Sequence, residues 1–239
     1  MIRANLIMLI INFFDYFQQR KIYKFLKKKL LKDLILFDVG AHNGETIKNF
    51  KKHFDFLCIH SFEASKNNFD ILKKKIKKLD KNKIHLNNFG LSDYKKKIKI
   101  KQLKESSSST ISNINQKSKY YKRKLRILGL ENEKNFYTEH EIELLRLDDY
   151  CIKKNIKKID LLKIDTEGHE YFILKGSTKT FSKIKYIYFE HHYDDMLDKM
   201  YTYSNIHDLL KIYKFKKIYK SKMFFRKTFE YIYENSEIN

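Results

Sequence analysis

The segment KIDTEGHE, residues 163 to 170, places three acids and a histidine directly after an apolar run. Asp165, Glu167 and His169 are residue types that transfer protons, orient a hydroxyl group or ligate a metal ion. The same types also suit the start of a helix, where Asp caps free N–H groups and the helix dipole stabilises acids. The pattern alone leaves a catalytic cluster, a metal site and a capped helix start open.

A second stretch, FDVGAHNGETIKNF, has two glycines between an apolar run and an amphipathic segment. Gly40 and Gly44 permit tight turns and close approach of a ligand, whose polar groups can bind the N–H groups at the turn. The spacing is neither the dinucleotide pattern GxGxxG nor a P-loop. Glu63, in SFEAS, follows the next apolar run, where an acid can accept both hydroxyls of a ribose. Together these features favour a nucleoside-binding site over an ordinary turn.

Elements that position these residues follow from the alternation of apolar runs with amphipathic segments. Buried strands are predicted at residues 34–40, 56–63, 158–165 and 184–192, and residues 83–93 predict a further strand with its exit loop. Their alternation with helices predicts a parallel sheet with right-handed crossovers. Residues 216–235 predict a closing antiparallel hairpin. The expected fold is a doubly wound α/β domain with a mostly parallel sheet.

Five segments carry a resemblance to the FkbM-type S-adenosylmethionine-dependent methyltransferases. In chain order they are FDVGAHNGETIKNF, SFEASKNNFDIL, NNFGLSD, LRLDDYC and IDLLKIDTEGHEYFILKGS. The similarity covers about residues 34 to 192, and KIDTEGHE with its following LKG is the most specific part. It implies a seven-stranded Rossmann-like methyltransferase fold, S-adenosyl-L-methionine as cofactor, and methylation of hydroxyl oxygens, often on sugars. Ala64 is a departure, because family members usually have proline there.

The resemblance also implies roles for particular residues at the strand ends. Cofactor-binding positions would be Asp38, Gly40, Ala41, Asn43 and Gly44 at the methionine end, Glu63 and Ala64 at the ribose, and Ser92 and Asp93 at the adenine. From the residues themselves, Asp38 could equally meet a cationic amine or cap a helix.

Asp165 ends the fourth parallel strand, which should lie beside the first, and ligands bind outside the carboxyl ends of such strands. We therefore predict Asp165 as the base or acceptor-orienting group of a methyl transfer, with Glu167 and His169 as its neighbours. Their alternative role is a helix start, and Glu170 is expected to be an ordinary surface residue.

The segment FEHH raises the question of a metal ion. Glu190 and one histidine, His191 or His192, could join Asp165 in an oxygen-rich site for a divalent ion that acidifies a hydroxyl. The spacing is not diagnostic, because alternating side chains of a strand cannot all face inward.

The charge balance adds a second class of acceptor. With 51 Lys+Arg against 29 Asp+Glu the net charge is +22, which invites binding to nucleic acid. Only six of these basic residues are arginines, the type that contacts bases and phosphates in bidentate fashion. The leading prediction is therefore a hydroxyl acceptor on a small molecule or glycan. An RNA methyltransferase and a non-catalytic nucleoside-binding protein are the alternatives.

Outside the matching segments, the chain divides into three parts. Residues 1–33 predict an amphipathic helical extension, 34–239 the methyltransferase domain, and 104–137 an insertion that forms either a lid or substrate wall or a plain loop. Cys58 and Cys151 have no CxxC spacing and fit a reducing compartment, so we expect a cytoplasmic protein.

The N-terminal segment admits two interpretations. Leu6, Leu9, Phe13 and Phe17 follow helical spacing, and no stretch reaches the roughly 18 apolar residues of a membrane span. The spacing favours a helix that covers the domain. Peripheral membrane contact through residues 1–30 is the alternative.

Overall fold

The structure is a computed structural model that describes residues 2–77, 83–103, 109–128 and 137–238. Its strands are β1 (Leu34–Val39), β2 (Phe56–Phe62), β3 (Ile84–Asn87), β4 (Gly90–Leu91), β5 (Lys96–Leu103), β6 (Ser109–Thr110), β7 (Asn113–Ile114), β8 (Tyr137–Leu145), β9 (Ile159–Ile164), β10 (Ile184–His192), β11 (Leu197–Asp198), β12 (Phe215–Lys222) and β13 (Thr228–Asn235). Its helices are α1 (Ile2–Lys27), α2 (Glu45–His53), α3 (Lys66–Lys75), α4 (Lys119–Leu128), α5 (Leu147–Lys153), α6 (Glu170–Lys175) and α7 (Tyr203–Ile212).

Seven strands form the main sheet, in the order β12-β13-β10-β9-β1-β2-β3. The pairs β1–β2, β1–β9, β9–β10 and β2–β3 are parallel, whereas β13 runs antiparallel to both β10 and β12. The predicted doubly wound fold with an antiparallel C-terminal hairpin is confirmed. All strands predicted from apolar runs are present, because a strand buried on both faces must be apolar throughout.

The middle of this sheet brings separate loops to one edge. Strand β1 lies between β2 and β9, with Val39 opposite Phe62 on one side and Ile164 on the other. The N–H of Asp165 donates to the carbonyl of Val39 at 2.9 Å. The loops after β1, β2 and β9 therefore open side by side at the carboxyl edge of the sheet.

Alternating side chains supply a core on each face of the sheet. Leu36 and Leu161 pack with α1 and α2 on one face, together with Ile22 and Ile47. Phe37, Leu162 and Ile164 lie on the other face with residues of α6 and α7. The two cores hold the central strands rigidly, so the loops at the carboxyl edge have a fixed base.

Helix α1 covers the sheet with its C-terminal half only. Ile22 and Leu26 are fully buried, and burial of such side chains contributes roughly 1.5–3 kcal/mol each. Leu9, Phe13 and Phe17, whose spacing predicted the covering face, are instead 67%, 56% and 41% exposed. The helix was predicted correctly and its buried face was not. None of the helices in the described part of the chain has the length and apolar character needed to cross a membrane.

A second layer lies over the carboxyl edge of the sheet. Strands β4, β8, β5 and β6 form a four-stranded sheet in that order, and β7 pairs with β11. Tyr121 and Leu125 of α4 pack against Met196 and Leu197. Of the predicted insertion 104–137, residues 104–108 and 129–136 lie outside the described residues. The described part forms a packed wall rather than a plain loop.

Candidate functional site

A cavity of about 210 Å³ opens where the loops after β1, β2 and β9 meet the second layer. Its lining residues are Val39, Gly40, His42, Phe62, Glu63, Ala64, Gly90, Leu91, Ile100, Thr110, Ile111, Ile142, Asp165, Thr166, Glu167 and His169. This position, outside the carboxyl ends of parallel strands, is where doubly wound sheets bind ligands.

Gly40 allows β1 and β9 to approach each other at the cavity. Its φ is +84°, and a Cβ built there would lie 1.9 Å from the carbonyl oxygen of Asp165. The N–H groups of Gly40 and Ala41 both donate to the carbonyl of Phe62, at 3.0 and 2.9 Å. The glycine is thus required by the backbone geometry of the cavity wall itself.

Glu63 is a buried acid that ties two loops together. Its Oε2 accepts from the N–H of His42 and its Oε1 from the N–H of Ser65, each at 2.8 Å. Burial raises the pKa of this carboxyl, and the two N–H groups oppose the rise. The Asn68 side chain is a further hydrogen-bond partner of Glu63. A carboxylate has about four lone-pair sites, so three donors leave room for one ligand hydroxyl.

Apolar residues form the cavity beside Glu63. Ala64 packs in one cluster with Ile100 and Ile142 of the second layer. A Cβ on Gly90 would lie 2.6 Å from Leu144 Cδ2 and 3.3 Å from the Cβ of Ala64. Glycine at this position therefore allows Leu144 and Ala64 to pack closely against the backbone. A flat apolar ring next to a hydroxyl-binding acid matches the two halves of a nucleoside.

Asp165 forms an ion pair with a lysine, Lys163, that no sequence motif indicated. Lys163 is 7% exposed, and its Nζ lies 3.2 Å from Asp165 Oδ2 and 3.8 Å from Asp38 Oδ1. Burial opposes ionisation of Asp165, but the Lys163 charge outweighs it and lowers the pKa of this carboxyl. The Asp165 side chain is 40% exposed and lines the cavity. An ionised carboxylate therefore faces the ligand space.

Asp38 lies behind this pair instead of in the cavity. It is fully buried, and burial raises its pKa to about 6 although Lys163 opposes the rise. Strand alternation places it on the same face as Leu36, toward α1. Its predicted role toward a ligand amine stays a prediction.

The prediction that Glu170 is an ordinary surface residue was wrong. Glu170 is 1% exposed, and its Oε1 accepts from Thr166 N at 3.3 Å, Thr166 Oγ1 at 3.2 Å and Gly168 N at 3.0 Å, while Oε2 accepts from Tyr201 Oη. Positive φ angles of 50° at Glu167 and 94° at Gly168 turn the chain back over this carboxylate. Glu170 therefore shapes the whole KIDTEGHE loop.

Glu167 and His169 line the cavity from different directions. Glu167 Oε2 lies 3.5 Å from His192 Nε2, and its carbonyl accepts from Thr110 Oγ1 at 2.9 Å. His169 is 5% exposed, stacks on Phe172 with ring centroids 5.0 Å apart, and its Nε2 lies 3.0 Å from Ser92 Oγ. Burial lowers the pKa of His169 to about 4, so its ring is neutral at neutral pH.

The FEHH residues form an ion-pair group next to Asp165. His192 Nε2 lies 3.2 Å from Glu190 Oε1. Burial favours neutral His192, but Asp194, Glu167 and Glu190 outweigh it and raise its pKa to about 10. His191 points to the opposite face and packs on Tyr193. A divalent ion at Asp165, Glu190 and one of these histidines stays a prediction.

Six of the predicted site residues line the cavity and six do not. Those in the lining are Gly40, Glu63, Ala64, Asp165, Glu167 and His169. Ala41, Asn43, Gly44, Ser92 and Asp93, like Asp38, are placed next to or behind it. Asp93, for example, accepts from Lys175 Nζ at 2.7 Å. The roles assigned to these residues stay predictions.

Comparison with known proteins identifies a family whose domain this chain matches. A model of the FkbM methyltransferase domain matches residues 38–217. The 2-O-methyltransferase NoeI of Sinorhizobium fredii is 32% identical over 69 residues, which are 29% of this chain and 28% of that relative's length.

Solved structures with the same fold include two methyltransferases. An FkbM methyltransferase from Methylobacillus flagellatus KT has a TM-score of 0.50 at 16% identity, covering 84% of this chain and 44% of that one. A structure from Clostridium thermocellum named as an rRNA methylase has a TM-score of 0.53 at 9% identity, covering 90% and 94%. At these identities the likeness shows the fold alone. Because the domain match spans most of the sequence, the chain belongs to the FkbM methyltransferase family.

Proposed function

We propose that this protein transfers a methyl group from S-adenosyl-L-methionine to a hydroxyl oxygen of a sugar, glycan or similar small molecule. The observation that carries the proposal is the order of groups along one cavity. An apolar slot at Ala64, Ile100 and Ile142 is followed by the buried acid Glu63 and then by the Asp165 loop.

The residues of the cavity fit this cofactor. Adenine would lie in the apolar slot, and a ribose hydroxyl would donate to the lone pair that Glu63 keeps. The methionine end would lie against the turn at Gly40, where a side chain would fill the space beside Asp165. The bound sulfonium supplies an activated methyl group.

Asp165 is the residue we place at the acceptor. A sugar hydroxyl is a poor nucleophile, and a group that takes its proton as the bond forms contributes about 10² to 10⁴-fold. The Lys163 charge keeps Asp165 ionised, so it can accept a hydrogen bond from the hydroxyl and fix its oxygen in line with the methyl carbon. The lowered pKa makes orientation the larger part of its contribution, since a weaker base removes a proton less readily.

The charge of the lining favours a neutral acceptor over RNA. Among the described lining residues, Glu63, Asp165 and Glu167 are carboxylic acids, and no lysine or arginine is present. Phosphates bind where Lys or Arg neutralises them, so a polynucleotide backbone would meet unfavourable charge here. The name of NoeI, a 2-O-methyltransferase, agrees with an oxygen acceptor.

Binding of S-adenosyl-L-methionine to Glu63→Gln tests the cofactor assignment. Hydrogen bonds to a charged group contribute about 1.5–3 kcal/mol, so titration calorimetry should show at least a ~10-fold loss of affinity. Asp149→Asn, which removes an exposed acid paired with Arg146 at 2.7 Å, should bind like the wild type. Equal affinity in Glu63→Gln and wild type would refute the ribose role of Glu63.

A further inference from the structure

A group of three metal-ligating side chains lies on the edge of the main sheet, apart from the cavity. Cys58 and His60 are two residues apart on β2, and His85 lies opposite His60 in the register of β3. One donor atom from each lies within 4.8 Å of the others. His60 precedes Glu63 by three residues on one strand, a separation of about 10 Å at the usual rise.

The contacts of this group suit a metal ion. Cys58 Sγ lies 3.5 Å from His60 Nε2, and the rings of His60 and His85 stack with centroids 4.5 Å apart. His60 Nδ1 lies 2.7 Å from Tyr150 Oη. A metal-ligating histidine usually donates its second ring N–H to such a partner, which orients the ring and leaves the other nitrogen free to bind.

The three side chains differ in their exposure to solvent. His60 is buried, Cys58 is half-buried, and His85 is exposed. An ion can therefore enter from solvent at His85 and reach the two inner donors. The buried ligand is fixed by Tyr150, whose Oη also accepts from Asn87 Nδ2 at 3.3 Å.

We propose that Cys58, His60 and His85 bind one zinc ion, with water at the fourth position. A thiolate with two imidazoles is the donor set that favours zinc over magnesium or calcium, which prefer oxygen ligands. On binding, the zinc–sulfur bond replaces the S–H bond, and the proton leaves to solvent without any change of oxidation state.

The ion would join two strands at an unprotected edge. Within the described residues, strand β3 ends the main sheet and pairs with β2. Ligands from both strands would add a link between side chains to the hydrogen bonds of this pair. Because zinc would bind the folded chain, it would stabilise the fold according to its concentration and affinity.

Titration of the full chain with Co²⁺, and then with Zn²⁺ in competition, tests this site once any histidine tag has been removed. The wild type should bind one equivalent and show a sulfur-to-cobalt charge-transfer band. Cys58→Ser should lose that band. His85→Ala, whose exposed side chain can be removed without disturbing the core, should bind at least ~10–100-fold more weakly, as even outer-shell losses do.

A matched control and a second measurement complete the test. His53→Ala removes another partly exposed histidine, on α2, and should bind cobalt like the wild type. Zinc should raise the Tm of the wild type and of His53→Ala but not that of His85→Ala. No stoichiometric binding by the wild type, or equal binding by His85→Ala, would leave Cys58 and His60 as a hydrogen-bonded pair only. Binding of S-adenosyl-L-methionine is measured separately, so either proposal can fail alone.

Discussion

At the scale of single residues, the ion pair of buried Lys163 and partly exposed Asp165 decides what chemistry the cavity can perform. Lys163 Nζ lies between Asp165 at 3.2 Å and Asp38 at 3.8 Å. Removing an ionised partner from a buried charge is costly, so Lys163 and Asp165 should depend on each other for their ionisation. Lys163 is therefore a positioning residue, and Asp165 is the group that would touch the acceptor.

Asp165→Asn should lower kcat about 10² to 10⁴-fold because it removes the charge that orients the hydroxyl and accepts its proton. The amide keeps the size of the side chain, so affinity for S-adenosyl-L-methionine should stay within about 3-fold, a difference below 1 kcal/mol. Single-turnover kinetics and calorimetry separate the two quantities. Asp149→Asn serves as the control, and an unchanged kcat in Asp165→Asn would exclude Asp165 from the transfer step.

Two buried histidines should make folding sensitive to acid. Burial lowers the pKa of His169 to about 4 and that of His191 to about 3, whereas the unfolded value is near 6.5. Between pH 6.5 and 4 the unfolded chain binds protons at these two histidines that the folded chain does not, so their contribution to stability should fall as pH drops. His192, whose pKa is raised, contributes in the opposite direction. The expected loss is on the order of 2 kcal/mol per histidine at pH 5 relative to pH 7.5.

Urea unfolding at pH 7.5 and 5.0 measures this effect. His169→Gln should reduce the loss of stability between the two pH values, whatever its effect on absolute stability. Curves with the same pH dependence for wild type and variant would show that His169 takes up its proton in the folded state as readily as in the unfolded one.

At the scale of secondary-structure elements, the turn between β1 and α2 depends on two glycines with nearly the same φ. Gly40 has a φ of +84° and Gly44 of +85°. A side chain at either position costs roughly 1–2 kcal/mol for the left-handed conformation. The neighbours differ, because a Cβ on Gly40 meets the backbone oxygen of Asp165 at 1.9 Å, whereas one on Gly44 meets the end of the Leu72 side chain at 2.8 Å.

Gly40→Ala should therefore be more destabilised than Gly44→Ala in denaturant unfolding. The two substitutions have the same cost for the left-handed backbone conformation. The difference between their losses of stability therefore measures the contact between the β1 turn and the end of β9. Equal losses of stability would mean that the ends of β1 and β9 separate at little cost and are not held rigidly.

Helix α1 supports a separate prediction about membranes. Its N-terminal half exposes Leu9, Phe13, Tyr16 and Phe17, and Phe14 contacts Phe224 and Phe225 with centroids 5.0 and 5.4 Å apart. The chain carries a net charge of +22, which attracts anionic lipid surfaces. We propose that this aromatic surface contacts such a membrane peripherally.

Sedimentation with vesicles containing phosphatidylserine tests this surface. The double substitution Phe13→Ser and Phe17→Ser should weaken binding at least ~10-fold through lost apolar contact. Ile152→Ser, which removes an apolar side chain 70% exposed on α5, is the matched control. Deleting residues 1–30 is unsuitable, because Ile22 and Leu26 belong to the core. Equal binding by all three proteins would remove this surface as a membrane contact.

At the scale of the whole molecule, the fold follows from the sequence to a large extent. The apolar run at 184–192 is strand β10 over the same residues, and the runs at 34–40 and 158–165 are β1 and β9 within one or two residues. Buried parallel strands must be apolar on both faces, which makes their pattern readable without a structure. The cavity edge was also predictable, because it follows from strand order alone.

Contacts between distant segments explain what the sequence did not reveal. Lys163 is a lysine within an apolar run, but its burial follows from the pairing of β9 with β1, which brings Asp38 beside it. Glu170 turns inward because positive φ angles at Glu167 and Gly168 reverse the loop. The helical period of α1 predicted a helix, whereas its buried face depends on where the helix packs. The sequence held one indication of the role of Lys163. This lysine precedes Asp165 by two residues, on a strand predicted to lie beside the strand of Asp38.

We propose that this member of the FkbM methyltransferase family uses S-adenosyl-L-methionine to methylate hydroxyl groups of small molecules or glycans. The most direct test is incubation of the protein with methyl-labelled S-adenosyl-L-methionine and separated glycan, lipid and RNA fractions from cells. We predict label in the glycan or small-molecule fraction, stable to mild base as an ether is, and its loss with Asp165→Asn. Label in RNA alone, or no label in any fraction while the cofactor is bound, would contradict the proposed methylation of small molecules or glycans.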